Sequence, residues 1–184
     1  MRKIFIDAGC HRGESVEAFI NSKYCEPDFK IHCFESDIKL HTELRGSPHI
    51  DHLYSYALSS YDGVIMFYPM SDVDKRGGSI YGNKITGDLD PKCAKRVLCI
   101  DFSKWIKDNF DKEDTIIIRM NMEGAEYPVL TKMLVDNTIE YIDLLSVDFH
   151  HSKINYPRGM HYALIKELKK RIRVRITTNS KELF

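Results

Sequence analysis

Three apolar runs of this chain end on an acid, and those acids are the first residues whose type and spacing could do chemistry. Asp7 follows KIFI, Glu35 closes residues 30–35 (KIHCFE), and Asp148 follows LLSV. Behind Asp7 comes a glycine turn, Gly9 to Gly13, and then a helix entered at Glu14 and Ser15. Glycines let a backbone come close to a ligand, and a helix start offers free N–H groups. The spacing is G-x-x-x-G rather than the G-x-G-x-x-G of dinucleotide sites, so phosphate cradling is the poorer fit. An acid at the strand's end suits an ammonium group better than a pyrophosphate. S-adenosylmethionine (SAM), with a zwitterionic aminoacyl end and a cationic sulfur, meets that demand. Glu35 stands 22 residues beyond Gly13, near the distance at which a strand-end carboxylate meets ribose hydroxyls. A carboxylate there can accept both hydroxyl protons and would repel a 2′-phosphate.

A second group sits later in the chain. Asn121, Glu123, Asp148 and His150 all follow apolar runs, so in a parallel sheet they would stand at the same end as Asp7 and Glu35. Methyl transfer from a sulfonium is an in-line displacement, and a hydroxyl acceptor must also lose its proton. His150 is the preferred base, placed at the cleft mouth, with Asp148 orienting its ring. Glu123 competes for that role but would need burial to raise its pKa. Each has a plainer reading: His150 as a strand cap, Asp148 as a strand end, Glu123 and Glu126 as charges at a helix start. Glu123, Asp148 and His150 could together hold a divalent cation, but no metal site is assigned.

The elements that must position these residues alternate. Residues 3–6, 30–35, 52–58, 64–68, 97–100, 115–120, 142–149 and 173–177 read as strands. Val16, Phe19 and Ile20 share a helix face, as do Phe102, Trp105 and Ile106 behind an Asp101 cap. Further helices are expected over 37–45, from Ala125, and over 159–170. Asp62-Gly63 reads as a hairpin turn. Residues 71–96 are charged, irregular and glycine-bearing, fitting a lid or substrate loop as well as a surface insert. The pattern is a doubly wound, mostly parallel α/β sheet, Rossmann-like, in a single domain spanning 1–184.

Bulk properties remove several classes. Lys+Arg and Asp+Glu both number 27, which argues against gripping a polyanion by charge. The basic run from Lys166 to Arg175 lacks interleaved aromatics, so nucleic acid stays a minor reading. No apolar run approaches membrane-spanning length, and no signal peptide is expected. Five cysteines without a C-x-x-C pair point to reduced thiols in the cytoplasm, Cys10 being a small filler.

The blocks IDAGCHRGESVEAF, CFESD, YALSSYDG, RGGSIY, VLCIDFSKWI, IIIRMNMEGAEYPVL and LLSVDFHH resemble, in their order, those of FkbM-type SAM-dependent methyltransferases. The resemblance covers nearly the whole chain, and M-E-G-A-E before a helix is its most specific piece. It implies the class I methyltransferase fold and methyl transfer to a hydroxyl oxygen of a small molecule or sugar. By it, Asp7, Gly9 and Gly13 would hold the methionine part of SAM, Glu35 with Ser36 the ribose, and Ala57 and Leu58 would border the adenine. Glu123, Glu126, Asp148 and His150 would line the reacting end, while Asn121, by its own amide chemistry, can orient a ligand by hydrogen bonding.

Departures matter too. Arg119 and Asn121 stand where the family usually has a lysine and an aspartate, and Asn121 can neither act as a base nor bring charge to a metal. Asp148 replaces the family's glutamate. After Thr177 only residues 181–184 remain for a further strand, which implies a shortened C-terminal end and an edge at Arg173 and Arg175. Those changes leave room for a catalytically silent SAM-binding or scaffold domain, and an RNA methyltransferase is the lesser alternative. The oligomeric state stays open, a homodimer included.

Overall fold

The chain enters its sheet in the middle. A computed structural model describes residues 1–70, 77–86 and 88–177. Its first strand, β1 (Lys3–Ala8), runs parallel between β2 (Phe29–Phe34) and β7 (Thr115–Met120). Together with β3 (His52–Tyr54), β8 (Leu144–Val147) and β9 (Arg173–Ile176) they form one all-parallel sheet, ordered β3-β2-β1-β7-β8-β9. The strand order reverses between β1 and β7, and a doubly wound sheet opens a ligand crevice at such a point.

Strand alternation splits the core in two. Ile4, Ile6 and Ala8 of β1 pack with Ile116, Ile118 and Met120 of β7 in one cluster. That cluster also holds Phe102 and Ile106 of α3 (Phe102–Asn109), Leu130 and Met133 of α4 (Glu126–Val135), and Leu164 and Leu168 of α5 (Arg158–Arg171). Phe5 and Ile117 point the other way. They meet Val16 and Phe19 of α1 (Glu14–Ile20) and Leu44 of α2 (Ile38–Leu44), and the Phe5 and Phe19 rings stack 4.0 Å apart. Burying both faces is why β1 and β7 read as apolar runs. Local signals start the helices: Asp37 accepts the Lys39 N–H at 3.0 Å, and Asp101 accepts that of Lys104 at 3.0 Å.

Two expectations are corrected. Residues 52–58 are not one strand: pairing with β2 ends at Phe34–Tyr54, and the chain leaves the main sheet there. Ala57–Ser59 become β4 of a separate three-stranded sheet, ordered β4-β6-β5, with β5 at Gly63–Phe67 and β6 at Lys95–Asp101. The turn at Asp62 therefore makes no hairpin between β4 and β5. β6 lies between them, parallel to β4 and antiparallel to β5, and Asp62 Oδ1 accepts the Asp101 N–H at 2.9 Å.

At the far edge β9 pairs, among the described residues, only with β8, and Arg173 and Arg175 lie exposed on it. Residues 181–184 lie outside the described residues, as do 71–76 and Gly87 of the irregular segment. Among the described residues no helix is long and apolar enough to cross a membrane.

Candidate functional site

A cleft of about 440 Å³ opens beyond the carboxyl ends of β1, β2 and β7, at the reversal of strand order. Gly9, Glu35, Ser36, Ala57, Leu58, Asn121 and Glu123 line it, so seven of the residues singled out in the sequence share one wall system. Gly77, Gly78, Ser79 and Ile80 of the irregular segment form its roof. Asp7, Gly13, Asp148 and His150 are not on its surface.

Asp7 lies beneath the floor, fully buried. Parallel register sets it between Cys33 of β2 and Arg119 of β7, all on one face of the sheet. Burial pushes its carboxyl up to about 7, against the pull of the Arg119 charge and of nearby Ser15. Neither Asp7 oxygen accepts a hydrogen bond of ordinary geometry. Arg119, 1% exposed, donates from Nη1 to the Met120 carbonyl at 2.8 Å, while its Nε finds no acceptor. His11 Nε2 and Asn121 Oδ1, both on cleft residues, are likewise buried and unpartnered. Buried polar atoms are normally satisfied. Here five of the seven exceptions among the described residues gather at one end of β1 and β7.

Glu35 is 7% exposed and faces the cleft. Its Oε2 accepts the His11 N–H at 3.0 Å and its Oε1 that of Asp37 at 2.7 Å. Burial still raises it to about 7, despite those two bonds. Each oxygen keeps a lone pair for a ligand hydroxyl.

The glycines serve the turn itself. Gly9 has φ +83°, and a Cβ there would stand 2.4 Å from the Asn121 carbonyl oxygen. Its missing side chain lets the turn after β1 close over the end of β7, rather than only admitting a ligand. Gly13, at φ +84°, is the left-handed residue before α1 and meets only Leu44.

The reacting end departs most from expectation. His150 is 3% exposed and sits behind Glu123, not at the cleft mouth. Glu126, read as a helix-start charge, is 0% exposed and is what draws His150 inward. Its Oε1 accepts the His150 backbone N–H at 2.9 Å and stands 3.0 Å from His150 Nδ1. Its Oε2 accepts the Gly124 N–H at 2.9 Å. Glu123 occupies the cleft wall in a left-handed backbone conformation, φ +51°. Burial favours its neutral form, but His150, Lys84 and Lys153 together hold it below the ordinary carboxylate range. Lys84 Nζ lies 2.8 Å from its Oε2. No local pattern pointed to Lys84, which comes from the irregular segment. Burial raises Asp148, and it feels the charges of His150 and Arg119.

Compared with family models, with curated proteins and with solved structures, the chain matches none. Its site therefore has to be read from its own geometry. Among the described residues no group of three or more His, Cys, Asp or Glu side chains is arranged to hold a metal ion.

Proposed function

We propose that this chain is a SAM-dependent methyltransferase of the FkbM type, acting in the cytoplasm on a hydroxyl of a small molecule or sugar. The observation that carries this reading is the pair of buried strand-end acids at one end of the sheet, Glu35 facing the cleft and Asp7 beneath its floor. The donor set fits the cofactor. Glu35, beside Ser36, would accept from the ribose hydroxyls, and Ala57 and Leu58 give an apolar border for the adenine. Arg119 has an unpartnered Nε for a carboxylate, and Asn121 Oδ1 offers an acceptor for the ammonium, with Asp7 adding negative charge from beneath the floor. The two acids, uncomfortable while buried, become favourable beside a cation.

When bound, SAM supplies an electrophilic methyl group on a sulfonium. The chain's own task is then to align the acceptor and to take its proton. Glu123 is the expected reacting-end residue that lies on the cleft wall, so it is the group that meets the hydroxyl.

Calorimetry tests the proposal. SAM should bind and NADH should not, and alanine at both Asp7 and Glu35 should weaken SAM at least a hundredfold. Unchanged affinity in that double variant would defeat the reading. One observation favours a second reading, a SAM-binding module without turnover: Glu123 is already engaged by Lys84 and Lys153. Release of S-adenosylhomocysteine with a panel of hydroxyl acceptors, lost in Glu123→Gln while SAM still binds, separates the two.

A further inference from the structure

We propose that Glu126 is a positioning residue, holding His150 in a buried carboxylate–imidazole–carboxylate relay whose cleft-facing end is Glu123. A carboxylate serving only the start of α4 would gain as much from the solvent side of the first turn. Glu126 instead lies fully buried, where an unpaired charge is costly. Three donors meet that cost: the Gly124 N–H, the His150 N–H, and His150 Nδ1. A carboxylate can only accept, so the proton of that last contact belongs to Nδ1. The ring is thereby fixed with Nε2 turned toward Glu123 Oε1, 3.4 Å away. That separation is longer than a hydrogen bond and leaves Nε2 free to take a proton.

The other groups around the ring fit this direction of transfer. Lys84 and Lys153 hold the charge of Glu123, while Asp148 and Arg119 add one charge of each sign nearby. Two backbone features hold the geometry. Glu123 and Gly124 both have positive φ, and a Cβ on Gly124 would stand 2.9 Å from the Tyr81 ring. Ser79 Oγ donates to the Glu123 carbonyl at 2.8 Å.

The relay's role in catalysis rests on the methyl-transfer reading. Bound SAM would supply the methyl group: the acceptor oxygen would bond to its carbon while the carbon–sulfur electron pair stayed on sulfur. The hydroxyl proton passes to Glu123 and from there to His150 Nε2. The products are a methyl ether, a neutral thioether and an imidazolium, so the single positive charge is conserved. Glu126 stabilises that imidazolium as it forms, as a buried acid does behind a catalytic histidine.

The test is nitrogen-resolved NMR on the full chain labelled with ¹⁵N-histidine, with the His150 signal assigned by its loss in His150→Gln. In the neutral ring Nδ1 should carry the proton and Nε2 should be the bare nitrogen. A wild-type neutral ring protonated on Nε2 rather than Nδ1 overturns the proposal, with no variant needed. In Glu126→Gln the Nε2-protonated tautomer should rise at least tenfold, and an unchanged tautomer ratio also overturns it. Glu123→Gln should move the Nε2 resonance and leave Nδ1 in place. SAM calorimetry on the same samples keeps the two ideas apart. Absence of SAM binding defeats the methyl-transfer reading alone, whereas the tautomer result decides the relay.

Discussion

The two ends of the parallel sheet treat the same side chain in opposite ways. At the amino ends of the strands, Asp114, Asp51 and Asp143 are each hydrogen-bonded. Asp114 accepts from the Arg2 backbone and guanidinium and from the Asp111 N–H, and although burial opposes it, these bonds hold it down to about 2. Asp51 accepts from Lys30 and from the Ile31 N–H, and Asp143 from the Ile116 N–H. At the carboxyl ends, Asp7 and Glu35 are raised to about 7 by burial, and Asp148 is raised too. One end uses carboxylates to tie strands together. The other buries Asp7 with no hydrogen bond to either oxygen and Glu35 with a single N–H on each, and that is the end with the cleft. Strain retained in this way is what a ligand can relieve.

Breaking the satisfied end should cost most. Asp114→Asn removes a carboxylate with several donors around it, and should lower stability by about 2 kcal/mol, or roughly 4–8 °C in Tm, read by thermal melting. The same change at the unsatisfied end should act the other way. Asp7→Asn should raise the stability of the ligand-free protein at pH 8 by about 1 kcal/mol, since it removes a buried charge. It should also weaken SAM at least tenfold by calorimetry. A loss of stability comparable to that of Asp114→Asn would erase the contrast.

The pH dependence sharpens it further. Between about pH 4 and pH 7 the folded chain keeps protons on Asp7 and Glu35 that the unfolded chain has released. Stability should therefore fall as pH rises through that window, by up to about 1.4 kcal/mol per unit for each group, and flatten above it. Asp114 has the reverse sign: its contribution is complete above about pH 4 and disappears as pH falls through about 2. Denaturant titrations across pH, compared with an Asp7→Asn/Glu35→Gln double variant, should show the first slope in the wild type alone. The smallest effect belongs to Lys30→Met. Lys30 is 63% exposed and its bond to Asp51 is screened by water, so stability should change by less than about 0.5 kcal/mol.

Much of the scaffold was legible because its signals are local. The entry to α1 at Glu14, the cap at Asp101, and the apolar run of β7 each depend on a few neighbouring residues. Periodicity and capping are short-range physics. The break between β3 and β4 was not legible, because it depends on β2 ending at Phe34. Nor was the place of β6 between β4 and β5, which is a choice among partners distant in sequence.

The chain's order of apolar runs, turns and caps determined a doubly wound sheet and put Glu35, Asn121 and Glu123 at one end of it. Only the tertiary structure decided depth: Asp7 beneath the floor, His150 behind the wall, Glu126 sealed inside with it. Depth is set by what packs on a residue from other elements. Burial and hydrogen-bonded partners, more than residue type, then govern how a carboxyl group or an imidazole holds its proton.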